Sequence, residues 1–358
     1  MHVMKKFLLA LFLFGTFGVQ AQNLTQEEMQ AQIASLTEEV NTLQQKSNTW
    51  DKFTQAMPKI SGYVMGRYMY NGDESTFRLR RVRVSVAGDL TPKLDYKFQA
   101  ELSSFKLLDA YFNYKPFDQL KIKAGQFKVP FTIENTDYTP TKMILMDHPM
   151  VLDRLVGTSE EIGDTMLKTA GRELGIDLHG AFFEGMLKYD VAVFNGAGLN
   201  VTDNNKSKDV VARLMLTPVK GLTISGSYYW GEFGDMYYAR ERFAVGAVYD
   251  CKHFLVRAEY IGAKTGLEGQ YDVINVDQEG WYALAGWRIN EKWMMAARYD
   301  TFTEDTEARS ATEQVNYTFG VAWKPYKFIR LQANYVHEDR MQGFGHRNVG
   351  MVQATLSF

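Results

Sequence analysis

From Ile60 onward, apolar and polar residues alternate with a period of two. Leu94, Tyr96, Phe98, Ala100 and Leu102 fall on one face, and Asp95, Lys97, Gln99 and Glu101 on the other. A strand sends successive side chains to opposite faces, so this run predicts a strand with one apolar and one polar side. The pattern recurs in Leu187, Tyr189, Val191 and Val193, in Leu222, Ile224, Gly226, Tyr228 and Trp230, and in Val315, Tyr317, Phe319, Val321 and Trp323. Short turns are expected near 89–93, 115–119, 184–186, 217–221, 249–253, 289–292 and 323–327, with longer connections between them. Seven short turns divide the region into eight hairpins and predict sixteen strands.

A soluble sandwich can show the same alternation, so periodicity alone does not place the sheet. The strands, at about 10 to 14 residues, exceed the usual five or six and suit a tilted passage through a bilayer. Tyr96, Tyr114, Trp230, Trp287, Trp293 and Trp323 sit at the ends of apolar faces, where an interfacial girdle requires them. The final run alternates Gly350, Val352, Ala354, Leu356 and Phe358 with Met351, Gln353, Thr355 and Ser357. Its terminal Phe resembles the assembly signal of bacterial outer-membrane proteins. In lipid every backbone group needs a partner, and a closed barrel is the only all-β arrangement that provides one. The expectation is an all-β, sixteen-stranded antiparallel transmembrane barrel over residues 58–358, with a short helical segment before it.

The first 57 residues follow other rules. Lys5 and Lys6 precede the apolar run that starts at Phe7, and the stretch closes at Val19-Gln20-Ala21. That layout predicts a secretory signal over 1–21, because about 13 apolar residues fall short of the roughly 20 that a span needs. Met29, Ile33, Leu36, Val40 and Leu43 then recur at alternating spacings of four and three. Such a heptad seam predicts a helix over 22–57, read as an oligomerising, coiled-coil-like collar on the periplasmic side or a linker covering the barrel rim. Met57-Pro58 marks the boundary.

Charge narrows the classes further. The chain has 40 Lys and Arg against 42 Asp and Glu, a net charge of −2, which becomes −4 without Lys5 and Lys6. That balance excludes a nucleic-acid binder of the usual basic kind. With Cys251 as the single cysteine, neither an intramolecular disulfide nor a cysteine zinc cluster is available.

Three segments carry a family resemblance. Phe77-Arg78-Leu79-Arg80-Arg81-Val82-Arg83, then Asp109-Ala110-Tyr111-Phe112, then Gly125-Gln126-Phe127-Lys128-Val129-Pro130-Phe131-Thr132 followed by Glu134, resemble the phosphate-selective porin O and P family. The resemblance implies a sixteen-stranded trimeric barrel whose third external loop folds inward and narrows the pore. The connection from Pro130 to about Gly171 is the third external one and the longest, and loops of that length in compact folds are usually functional.

Placing the polar face of each strand in the lumen puts fifteen basic residues there against ten acids. The basic set includes Arg81, Arg83, Lys97, Lys121, Lys123, Arg257, Arg298 and Arg330. Such a wall concentrates anions and replaces part of their hydration. Arg81, Arg83, Lys97, Lys121 and Lys123 form the leading cluster because their strands are consecutive neighbours. The competing reading is that they pair with Asp95, Glu101 and Asp109 and stiffen the wall. Two adjacent arginines also let the parity slip at Arg80-Arg81, which turns Arg78 and Arg80 towards the lumen near the external mouth. In the loop, Glu134, Asp137, Glu160 and Glu161 are the expected constriction residues, with Glu134 as the anchor.

The six histidines show no ligand spacing in the sequence, so neither a metal nor a cofactor is expected. No Gly-x-Ser-x-Gly elbow is present, and an enzymatic barrel such as a phospholipase is the weaker reading beside a diffusion channel. A non-selective or purely structural barrel is the other alternative. The sequence therefore points to an outer-membrane porin of a Gram-negative cell, a homotrimer in lipid that passes small hydrophilic solutes with a preference for phosphate-like anions.

Overall fold

A computed structural model describes residues 27, 30–32, 34–42 and 57–358, except 159–169, 204, 235 and 269–272. The expected signal segment, the heptad positions Met29, Ile33 and Leu43, and the loop residues Glu160 and Glu161 lie outside the described residues. The chain divides into two units, Met1–Met57 and Pro58–Phe358. In the first, residues 27, 30–32 and 34–42 are helical, and Leu36 and Val40 are half-buried.

The second unit is a closed antiparallel barrel in which every strand pairs with its sequence neighbours and the first pairs with the sixteenth. The strands are β1 Lys59–Tyr70, β2 Ser75–Thr91, β3 Leu94–Glu101, β4 Lys106–Phe117, β5 Leu120–Lys128, β6 Arg172–Phe182, β7 Leu187–Phe194 and β8 Asp209–Val219. The second half continues with β9 Leu222–Phe233, β10 Tyr238–Asp250, β11 Phe254–Glu268, β12 Val273–Arg288, β13 Trp293–Thr303, β14 Glu313–Tyr326, β15 Ile329–Asp339 and β16 His346–Ser357. The seam runs from Tyr63 opposite Ser357 to Tyr70 opposite Gly350, and Gly62 and Phe358 exchange both backbone hydrogen bonds at 3.0 Å. Among the described residues no helix is long and apolar enough to cross a membrane.

The outer surface is apolar, with Phe98, Leu214, Phe243, Val256, Trp287, Phe319 and Val352 all exposed, while the charged wall residues are buried inside. In water this distribution is inverted; in lipid it is what burial demands. Trp293 stacks on Trp323 at 5.4 Å near the short-turn end, and Trp281 packs on Tyr299 at 4.9 Å nearer the long-loop end. Of the expected girdle aromatics, Tyr114, Trp230, Trp287, Trp293 and Trp323 are exposed, and Tyr96 is half-buried.

Two features depart from simple alternation. On β2 the register against β1 shifts between Met65 and Gly66, whose partners are Arg81 and Leu79, leaving Arg80 as the extra residue of a bulge. A bulge places neighbouring side chains on one face, and Arg80 and Arg81 are both buried. The lumen face is also not uniformly polar. Leu255, Ile261, Tyr282, Leu284, Ala296 and Phe302 form an apolar inner patch over β11 to β13, buried beneath the third long connection. The expectation of a polar lumen fails at this patch, because the loop covers it and excludes water, and at a smaller one where Val349 and Met351 of β16 pack with Met146 of the loop.

Candidate functional site

The connection between β5 and β6 enters the barrel. Pro130 follows Lys128-Val129 and supplies no N–H to the ladder, so the strand ends there. Thr132, at φ 65°, caps a helical turn, α1 (Ile133–Asp137), through its hydroxyl, which accepts from the Asn135 N–H at 3.2 Å. A second turn, α2 (Met150–Leu155), starts after Pro149. The first N–H groups of a helix have no partner within it, and here two wall carboxylates supply one. Glu259 on β11 accepts from the N–H groups of Ile133 and Glu134 at 2.5 and 3.0 Å, and is itself hydrogen-bonded by the Tyr282 hydroxyl at 2.6 Å. Asp300 on β13 accepts from the Met150 N–H at 2.9 Å.

Apolar burial seats the loop on the patch described above. Phe131, Ile144, Leu145, Val151, Leu152 and Leu155 are buried against it. A Cβ at Gly320 on β14 would lie 2.5 Å from Leu145 Cδ2, so the absent side chain is what lets the loop approach.

Five wall arginines on five strands then grip the loop. Arg67 on β1 makes a two-pronged contact with Asp147 at 2.8 and 2.9 Å. Arg213 on β8 does the same with Asp137 at 3.2 and 2.6 Å. Arg257 on β11 is paired with Glu134 and lies 3.8 Å from the Tyr138 ring centre. Arg298 on β13 donates to the Asp147 and His148 carbonyls at 2.7 and 3.1 Å. Arg330 on β15 donates to the Thr141 and Ile144 carbonyls at 3.0 and 3.1 Å, and to that of Met143. Burial alone pushes the Glu134 carboxyl up, but Arg257 and the His148 ring 3.5 Å away override it and hold it at about 2. Asp147 is likewise opposed by its desolvation and held well below the ordinary range by Arg67 and Arg80.

Of the expected site residues, Arg257, Arg298 and Arg330 are therefore committed to loop atoms, and Glu134 and Asp137 are loop anchors. The proposed cluster on β2 to β5 is divided. Arg83 pairs with Glu101 at 2.9 Å, Lys97 with Asp109 at 2.5 Å, and Lys123 with Asp177 at 3.2 Å. Lys121 lies at the short turn, 3.6 Å from Asp118. Arg81 is 2% exposed and lines none of the cavities below.

Among the described residues the loop separates three cavities. An outer one of about 610 Å³ lies at the long-loop end and is lined by Arg78, Arg80, Arg154, Arg340 and Arg347 as well as the loop-gripping Arg67 and Arg298, seven arginines against Asp147, Asp153 and Glu338. An inner one of about 540 Å³ at the short-turn end has Arg83, Lys97, Lys123, Lys128 and Arg172 against Asp109 and Asp190. A smaller one of about 310 Å³ beside it has five basic side chains against Asp250 and Glu291. Loop residues Asp147 to Arg154 face the outer cavity, and Pro130 to Ile144 face the inner two. The outer arginine Arg340 was missed by sequence reasoning because it sits in a connection, where alternation assigns no face.

No curated protein sequence matches the chain. Solved structures match over 84% of its length. They include an anion-selective porin from Comamonas acidovorans (TM-score 0.66, 13% identity, 99% of that chain) and the trimer form of OmpT, an outer-membrane protein of Vibrio cholerae (TM-score 0.64, 12% identity, 99% of that chain). The outer-membrane channel DcaP of Acinetobacter baumannii also matches (TM-score 0.59, 12% identity, 97% of that chain). At such identities the likeness establishes the barrel fold. The sequence pattern of phosphate-selective porin O and P matches residues 62–240, half of the chain and the half that contains the bulged arginines of β2, the Gly125–Thr132 segment and the inserted loop. With a closed sixteen-stranded barrel and that pattern in hand, the chain belongs to the phosphate-selective porin O and P family and is an outer-membrane porin.

Proposed function

We propose that the porin is a passive diffusion channel with a preference for small hydrophilic anions, phosphate among them. The observation that carries this is the charge of the cavities: on each side of the inserted loop, basic side chains outnumber carboxylates. Low-dielectric walls focus that field, raise the local anion concentration and repel cations. Contacts of this sort are weak and multiple, as conduction requires. Channel function, rather than catalysis, also fits the family. The long-loop end faces outward in this reading and the short-turn end, where both barrel termini lie, faces the periplasm. Residues 1–21 then act as the export signal and 22–57 as a periplasmic collar. A homotrimer is supported by the trimer form of the Vibrio cholerae barrel.

The test is the reversal potential of the purified protein in a planar bilayer across a KCl gradient, repeated with phosphate added. An anion-favouring potential, reduced in Arg78→Gln/Arg154→Gln, supports the proposal. A cation-favouring or zero potential in the unaltered protein overturns it.

A further inference from the structure

The hairpin of β15 and β16 holds a group of side chains that the diffusion path does not use. On β15, Arg330, Gln332 and Asn334 point inward and are buried, while Ala333 and Tyr335 are exposed. By the same alternation His337 and Asp339 face outward. Across the ladder Asp339 is opposite His346, and His337 is opposite Asn348. The two imidazoles and the carboxylate therefore converge on one spot at the outer rim, and their ligand atoms all lie within 4.8 Å of one another. His337 Nε2 is 3.2 Å from Asp339 Oδ1, and His346 Nδ1 contacts the same oxygen. This juxtaposition is invisible to sequence spacing, because the eight residues between the two histidines include a loop that the hairpin folds back.

The hydrogen bonds around the group define what it lacks. Asn348 Oδ1 accepts from the Tyr335 hydroxyl at 2.8 Å and lies 2.7 Å from His337 Nδ1, so the proton of a neutral His337 belongs on Nδ1. That leaves the Nε2 lone pair directed at a carboxylate oxygen, two acceptors in contact. A cation between them, whether a proton or a metal ion, resolves the conflict. The arrangement of a ligating imidazole whose other nitrogen is fixed by an oxygen acceptor is the one that orients metal-bound histidines. A tetrahedral ion with bonds of about 2.0–2.1 Å sets its ligands about 3.3 Å apart, near the His337–Asp339 separation.

We infer that His337, Asp339 and His346 form a binding site for a divalent transition-metal ion such as Zn²⁺ on the outward face of the rim. Two nitrogens and one carboxylate oxygen suit Zn²⁺ and its neighbours and do not suit Ca²⁺ or Mg²⁺, which take oxygen ligands. His346 is 71% exposed, so the ion enters from water and keeps at least one solvent position. The three ligands join the two strands at the base of the 340–345 connection, whose Arg340, Met341 and Phe344 line the outer cavity. A bound ion thus clips the hairpin that carries part of the channel mouth.

The test is equilibrium dialysis of the tag-free, chelator-stripped, full-length barrel in detergent against Zn²⁺. Folding of each variant is checked by heat-modifiable migration. One Zn²⁺ per chain is expected, lost in His346→Ala and in Asp339→Ala. Asn348→Ala, which keeps all three ligands but removes the oxygen that orients His337, should weaken binding by roughly 10- to 100-fold while the barrel stays folded. Replacing Zn²⁺ with Co²⁺ should give the intense visible bands of a four-coordinate site, absent in His337→Ala. No saturable uptake by the unaltered protein, or uptake that is the same in His346→Ala and Asp339→Ala, overturns the inference.

Discussion

Glu134→Gln is the most informative single substitution in the loop. It keeps the shape of the side chain and removes the charge facing Arg257, whose guanidinium is 1% exposed. Deleting one partner of a buried pair costs about 3–5 kcal/mol because the other charge is left uncompensated. Arg257 retains the Tyr138 ring at 3.8 Å, which favours the lower end, about 3 kcal/mol, or roughly a 150-fold shift between seated and unseated loop. The barrel itself is held by its strand ladder and should keep its heat-modifiable migration. Single-channel recording in planar bilayers is the assay, and the expected result is larger conductance with frequent transitions between levels. Glu134→Gln/Arg257→Met removes both charges and should recover most of the quiet, low-conductance behaviour. A Glu134→Gln trace indistinguishable from the unaltered protein, or a double variant whose effects simply add, would refute the idea that this pair holds the loop.

Asp153, lining the outer cavity and accepting from the Thr158 hydroxyl at 2.6 Å, has its carboxyl pushed up to about 7 by burial. It is neutral below that value and charged above it, so the anion preference should fall as pH rises from 5 to 8. The penalty for charging a half-buried, desolvated acid should also loosen the loop seat over the same window; reversal potentials at each pH check the first effect, and Asp153→Asn should flatten it. Gly320→Val forces a side chain against Leu145 and should cost about 1–3 kcal/mol of loop seating, read as altered conductance with an intact barrel. Gly125 has φ +127°, and a Cβ there would lie 2.2 Å from the Ala110 carbonyl oxygen. Gly125→Ala should therefore lower the yield of folded barrel in refolding assays by disturbing β4 and β5, with about 1–3 kcal/mol from backbone strain alone.

The strands were legible because lipid on one side and a polar lumen on the other impose a period of two along each strand. The bulge on β2 was legible too, since two adjacent arginines cannot both face a lumen without one. The identity of the loop's partners was not. Arg67 meets Asp147 from 80 residues away, and Arg330 reaches the Ile144 carbonyl from 186 away. Backbone carbonyls carry no sequence signal, so a guanidinium bonded to one looks the same in the sequence as one facing an anion. The apolar inner patch left a faint trace: Leu255 and Ile261 share the parity of Arg257 and Glu259, a mixture unsuited to a wall wetted throughout. The histidine pair on β15 and β16 required the hairpin register before its members could be seen as neighbours.

The seam between β1 and β16 has a kinetic consequence. Fifteen of the sixteen strand interfaces join sequence neighbours, whereas Gly62 and Phe358 meet across almost the whole barrel unit. Loop-closure entropy grows as (3/2)RT ln n, so lengthening the closed segment from about 10 residues to nearly 300 adds about 3 kcal/mol to the encounter. Hairpins can therefore zip up one after another while the last junction waits on a rare collision. Until it occurs, the growing sheet carries two unpaired edges in which every backbone group must find water or another chain, and so the time spent open, more than the stability of the finished ring, sets how much of the chain is exposed to aggregation.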